Sequence, residues 1–313
     1  MISLGAVLVR AALRAYTYPY RKRFASLSRS VALKEKPYEP PKGFSFAEEE
    51  YGGVRVEKIV PPETGKGIVL QFHGGGHTVP MNKMYRNAAE RLAAACGCTV
   101  YSIDYRTGAH FTYPALHDEC FRAYAALCKS VLRGGNFVAI GDSFGANLLL
   151  SACLRARDDG LPLPSAIVCI SCFIDMAASG SSYRENCHRD PLYGMPRRYD
   201  FEAHENQIRR ISPYCGNTPL NDPDLSPAYA DLQGFPKALI LCGGWETSLT
   251  DSRMLDDGLR KGGNPAKLHV FPGMWHDFLY LFPRLKESRA AWREIVAFIT
   301  EALSPNVKQE RER

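Results

Sequence analysis

The sequence lacks the features that mark a special physical class. Its charge is nearly balanced, with 39 Lys/Arg against 33 Asp/Glu over 313 residues. It contains no internal repeat and no low-complexity tract, which excludes a collagen-like chain. The N-terminal uncharged run stops at Arg10, far short of the roughly 18 apolar residues a transmembrane helix needs. Basic residues follow that run where a secretory signal carries them first, so no cleaved signal is expected. With 45% hydrophobic and 23% charged residues, disorder and a disulfide-dense mini-fold are excluded as well. A chain of this length buries its apolar side chains without help from metals or disulfides.

What charge there is lies at one end. Residues 1–45 hold nine Lys/Arg against Glu35 and Glu39, a surplus of seven that leaves the rest of the chain at −1. A nearly neutral body offers no broad footprint for nucleic acid. Within the basic segment, Leu4, Val7, Leu8 and Ala11 recur at helical spacing and predict an amphipathic helix beside Arg10 and Arg14. Packing of that helix on the body of the protein is the favoured expectation, and contact with a membrane surface the lesser one. The ten cysteines are scattered and several sit inside apolar runs, where a free thiol behaves as a small hydrophobe; a cytoplasmic location is expected. Cys169 and Cys172 have the spacing of half a zinc site, but a strand would point them to opposite faces and no second pair follows, so no metal is expected.

Beyond the Pro-rich KPYEPPKGF, apolar runs alternate with helical patterns. The runs are GIVLQF, CTVYSIDY, NFVAIG, SAIVCISCF, KALILCGG and AKLHVFPG; the helical patterns between them begin near residues 82, 115, 144 and 250. This rhythm predicts βαβ units, hence an α/β fold with a mainly parallel central sheet and helices on both faces. Residues 175–230 break the rhythm, being polar and interrupted by proline, and are expected to cover one edge of the sheet.

Three motifs carry chemistry. Gly141-Asp142-Ser143-Phe144-Gly145 is a G-x-S-x-G that follows a predicted strand and opens a predicted helix, the setting that exposes a serine hydroxyl above a sheet. His73-Gly74-Gly75-Gly76 follows another strand; its glycines let backbone N–H groups approach an oxyanion, joined by the N–H of Phe144. Neither G-K-[ST] nor G-x-G-x-x-G stands nearby, which argues against a phosphate loop, and no H-E-x-x-H accompanies His73 and His77. His276, after a late strand, is placed to act as general base on Ser143. The acid that orients it is expected after KALILCGG, where position alone leaves Glu246 and Asp251 both open, Asp251 also reading as the N-cap of a helix.

Together the HGGG loop, the Gly-Asp-Ser-x-Gly elbow and His276 resemble the hormone-sensitive-lipase-like branch of the α/β-hydrolase carboxylesterases, from about residue 50 to about 303. SIDYRTGAHFTYPALHDE and the stretches SSYRENCHRDPLY through SPAYADL belong to the likeness. The resemblance implies an α/β-hydrolase fold, a core formed by 46–174 and 231–313, and a helical cap built from residues 1–45 and the insertion 175–230. It also implies a Ser143–Glu246–His276 triad, because Glu246 stands 30 residues before His276, the spacing seen in the family, whereas Asp251 stands 25 before it. The chain departs from the family in having Phe144 where Ala often follows the nucleophile, Ala146 where Gly is common, His77 where an aromatic usually follows HGGG, and Glu246 where an Asp-Pro-Leu context is usual. Phe144 is expected to narrow the pocket.

The expected activity is hydrolysis of short-chain acyl esters by a serine carboxylesterase with no cofactor. A small-molecule ester is the expected partner, with a homo-oligomer left open. Two rivals stand beside it: an amidase or peptidase using the same triad, and a non-catalytic ligand-binding protein on the same fold, as in the plant gibberellin receptors that resemble these esterases.

Overall fold

The computed structural model describes residues 2–20, 35–63, 65, 67–133, 136–195 and 213–304. Eight strands form one sheet: β1 (Ser45–Tyr51), β2 (Val54–Val60), β3 (Ile68–Phe72), β4 (Thr99–Ile103), β5 (Phe137–Asp142), β6 (Ala166–Ile170), β7 (Lys237–Gly243) and β8 (Ala266–Phe271). Their spatial order is β1-β2-β4-β3-β5-β6-β7-β8. The first two strands are antiparallel to their neighbours, and every pairing from β4 through β8 is parallel. All six predicted runs became β3 to β8.

The antiparallel pair at the edge was not foreseen. Gly52 and Gly53, both at positive φ, turn the chain between two strands of seven residues. A two-residue Gly-Gly loop followed by the alternating V-R-V-E-K-I-V was the signal available for it.

Helices cover both faces. α2 (Lys83–Cys96), α3 (Ala115–Lys129) and α4 (Phe144–Asp158) follow β3, β4 and β5; α5 (Ser182–Glu185) is a single turn; α6 (Leu249–Lys261) follows β7; α7 (Phe278–Leu281) and α8 (Lys286–Leu303) close the chain, and α1 (Leu4–Tyr20) precedes the sheet. Asn82 caps α2, its side chain accepting the Met84 N–H, and Gly97 ends it in the left-handed conformation. The alternation of side chains along each central strand divides the core in two. Phe137 and Ala139 of β5, Ile167 of β6 and Ile240 of β7 pack beneath α3, α4 and α6. Val138 and Ile140, Val168 and Leu239 face α2 and α8 on the other side. Burying each large aliphatic side chain contributes about 1.5–3 kcal/mol, and truncating one such as Ile140 to alanine would cost about 2–5 kcal/mol.

The N-terminal helix forms where its periodicity placed it, and it packs on the body, but by the other face. Leu4 and Leu8 are 73% and 61% exposed, and Ala11 is exposed too, while Ala6 is buried and Val9 and Leu13 meet the core. Arg10 and Arg14 turn inward. The Arg10 guanidinium lies 3.9 Å from the centre of the Trp245 ring, and Arg14 donates to the carbonyls of His188 and Arg189 at 3.1 and 2.7 Å. Cation–π stacking and bonds to otherwise open carbonyls outweigh the burial of two leucines here. Among the described residues no helix is long and apolar enough to cross a membrane.

The cysteines are all free and all buried. Cys169 and Cys172 do not point to opposite faces as a continuous strand would require. Both pack in the same half of the core, because β6 ends at Ile170 and the left-handed Ser171 (φ 48°) turns the chain between them.

Candidate active site

The site lies at the carboxyl ends of the parallel strands, where such sheets place their ligands. Ser143 sits between the end of β5 and the start of α4 with φ 52° and ψ −122°. A side chain held there costs about 1–3 kcal/mol, and the turn is fixed by the Ser143 N–H donating to Ile170 O at 2.8 Å. Gly141 and Gly145 allow the tight turn: a Cβ on Gly141 would lie 2.6 Å from the Gly145 carbonyl oxygen, and one on Gly145 would lie 2.6 Å from that of His73. The sequence thus places the hydroxyl above the sheet by removing two methyl groups beneath it.

His276 is delivered by the loop after β8. Its Nε2 lies 2.8 Å from Ser143 Oγ, and its Nδ1 lies 3.5 Å from Glu246 Oε2. Glu246, on the loop after β7, is wholly buried; its Oε1 accepts the Ser171 hydroxyl at 2.8 Å and the Gly243 N–H. Burial raises the Glu246 carboxyl above its usual range, while contact with His276 and these two donors holds the increase back. The three residues that the resemblance joins as a triad are therefore within reach of one another.

Asp251 stands apart from the imidazole. It does not cap its helix either: Ser248 occupies the N-cap position, and Asp251 lies in the first turn with its side chain directed into the core. Its Oδ2 accepts the N–H groups of Ile174 and Asp175 at 2.9 and 3.0 Å and the Tyr183 hydroxyl at 3.2 Å. The demand for acceptors at the turn after β6 outweighs capping. Burial, with Asp175 nearby, pushes its carboxyl up to about 8.

In the glycine loop the Gly74 N–H already donates to Asp142 Oδ1 at 3.1 Å. Among the described residues the N–H groups of Gly75, Gly76 and Phe144 have no acceptor. Gly75 and Gly76 take positive φ of 86° and 61°. Gly74 thus holds the loop to the elbow. His73 lies beneath, stacked on Tyr105 at 4.1 Å between ring centres, with burial lowering its pKa to about 4.

The Phe144 ring packs edge-on against Tyr214 and His117, and Tyr214 stacks on His77, giving an aromatic wall beside the elbow. The stretch 175–230 lies between β6 and β7, and its residues 196–212 fall outside the described part. Its Asn186 donates to the Glu246 carbonyl at 2.8 Å, and buried Asp190 accepts the Thr247 N–H at 3.1 Å. The Tyr193 ring meets His276 edge-on at 4.7 Å. Sequence reasoning missed Ser171, Asp190, Tyr193 and Asp277. Only Asp277 carried a visible signal, as the neighbour of a singled-out histidine.

Strand order, elbow and histidine loop define a hydrolase of the α/β class, and the chain belongs to the alpha/beta hydrolase fold family, whose model matches residues 69–280. Among curated proteins it is 30% identical over 258 residues to an acetyl-hydrolase of Streptomyces hygroscopicus, covering 82% of this chain and 83% of that one. It is 27% identical to an esterase of Acinetobacter venetianus, covering 79% of each. Among solved structures, the hormone-sensitive-lipase homologue EstE7 from a metagenome library superposes with a TM-score of 0.83 at 26% identity, over 96% of this chain and 99% of that one. A hormone-sensitive lipase from a metagenome library does so with 0.76 at 27% identity, over 90% and 98%. The resemblance drawn from HGGG and the elbow is borne out.

Proposed function

We propose that this protein is a serine carboxylesterase acting on short-chain acyl esters, with Ser143 as nucleophile, His276 as general base and Glu246 as the acid. The observation that carries the reading is the 2.8 Å contact between His276 Nε2 and Ser143 Oγ, with Glu246 on the opposite ring nitrogen. In the reaction, Ser143 Oγ attacks the ester carbonyl as Nε2 takes its proton, and the N–H groups of Gly75, Gly76 and Phe144 hold the oxyanion. The imidazolium gives that proton to the departing alcohol. Water then repeats the sequence on the acyl-enzyme, releasing the acid and restoring Ser143.

Residues 1–45 and 175–230 act as a cap over this site. The contacts of Arg10, Asn186 and Asp190 with the loop 245–247 support that role. Preference for short acyl groups is supported by the aromatic wall around Phe144 and by relatives named acetyl-hydrolase. The test is covalent labelling by an organophosphonate with turnover of matched ester and anilide substrates. Labelling at Ser143 with ester turnover alone supports the reading, faster anilide cleavage makes the protein an amidase, and absence of labelling favours a binding protein.

A further inference from the structure

We propose that Asp277 is a second carboxylate partner of His276, engaging the ring nitrogen that faces the nucleophile and setting the pH at which that nitrogen is free to take the Ser143 proton. The inference rests on the triad reading above. Asp277 Oδ2 lies 3.2 Å from His276 Nε2, the same atom that meets Ser143 Oγ at 2.8 Å. The residue is only 8% exposed, and its other oxygen, Oδ1, is buried without a partner among the described residues.

This placement is held by the backbone. Asp277 adopts the left-handed conformation, φ 51° and ψ 29°, and its N–H donates to Ser171 Oγ at 3.0 Å. Aspartate and asparagine tolerate that region better than other side chains with a Cβ. Ser171 is in turn bonded to Glu246, so one hydroxyl holds the Glu246 carboxylate and the backbone of Asp277.

The chemistry follows from which atom is shared. When the imidazole is neutral with its proton on Nδ1 toward Glu246, Nε2 presents a lone pair, and a carboxylate oxygen 3.2 Å away repels it. When the ring is protonated, Nε2–H becomes a donor and the same oxygen attracts it. Asp277 therefore favours the imidazolium. That is the state reached once the Oγ–C bond has formed and the serine proton has moved to Nε2, before it passes to the leaving oxygen as the C–O bond breaks. Asp277 takes no proton in either step.

The other titratable groups facing the ring are Glu246 from the β7 loop, Asp190 and Tyr193 from the stretch before residue 196, and Asp142 at the end of β5. Burial by itself would lower the His276 pKa; Asp277 and then Glu246 override it and hold the value well above that of an ordinary histidine.

The test is the pH profile of kcat/KM for p-nitrophenyl acetate on the whole protein. The wild-type acidic limb is expected above pH ~6.5, the ordinary histidine value; a limb at or below it overturns the proposal. In Asp277→Asn, which keeps the size and suits the left-handed backbone, the limb should move down by about one pH unit or more. A limb that stays in place while the plateau falls would make Asp277 merely structural and also overturns it, and Asp277→Ser repeats the comparison with a smaller side chain. If Ser143→Ala still turns over esters, the triad reading itself has failed, an outcome separate from either result.

Discussion

Ser171 donates its hydroxyl to Glu246 at 2.8 Å and, through the same oxygen, accepts the N–H of Asp277, so a residue just past the end of β6 ties the loop of Glu246 to the loop of His276. Removing a hydrogen bond to a charged group costs about 1.5–3 kcal/mol. Ser171→Ala is therefore expected to lower kcat roughly ten- to hundred-fold with KM little changed, measured by steady-state kinetics on a protein whose far-UV spectrum is unaltered. An equal loss in KM alone would place Ser171 outside this network.

The two candidate acids separate by charge. Glu246→Gln keeps much of the shape but removes the charge beside Nδ1, and kcat should fall by ~10²- to 10⁴-fold. Asp251→Asn should remain active. Because the native carboxyl titrates near 8 against an unfolded value near 3.8, the folded state binds the extra proton and wild-type stability declines as pH rises between those values. The variant should lose that decline, visible as a Tm that falls less than the wild type's between pH 6.5 and 8.

Two buried histidines set the acid limit of stability. Burial lowers both His73 and His117 to about 4, and His117 is bonded through both ring nitrogens, to Tyr214 and Asn147. The unfolded chain protonates them near pH ~6.5, so below that value it binds more protons than the folded state. The contribution of these two groups is present in full above pH ~6.5 and is lost as pH falls toward 4, by up to about 1.4 kcal/mol per pH unit for each, opposite in sign to that of Asp251. The difference in urea midpoint between wild type and His117→Gln, measured from pH 7 to 4.5, should follow this slope.

The N-terminal helix bears on the loop after β7 through Arg10 and Trp245, the residue before Glu246. Deleting residues 1–34 spares β1 and the rest of the sheet, so secondary structure should persist while kcat/KM drops. A truncated protein with full kcat/KM would show that α1 leaves the loop undisturbed.

Acetyl to hexanoyl esters should give the highest kcat/KM, with weak turnover of long-chain triglycerides. A chain-length series checks this; a maximum at long acyl groups with activation at a lipid interface would refute it.

The parallel sheet was legible because buried central strands read as continuous apolar runs, and Ser143, His276 and the glycine loop were legible because their motifs sit at strand ends. Ser171 and Asp190 were not. A serine inside SAIVCISCF and an aspartate in a polar stretch acquire their partners only when β6, β7 and the stretch before residue 196 are brought together. The packing face of α1 was misjudged for a related reason: periodicity identifies an apolar stripe, but the aromatic ring awaiting the arginines is more than 200 residues away in sequence.

The ten enclosed thiols give the molecule a built-in clock. None is presented to solvent for alkylation, so a maleimide in excess reports how often the structure opens around each sulfur, and mass spectrometry resolves the sites one by one. Cys153 on the buried face of α4 and Cys242 on β7 should wait for global unfolding, whereas Cys187, beside the end of α5, should react at the pace of the stretch that covers His276.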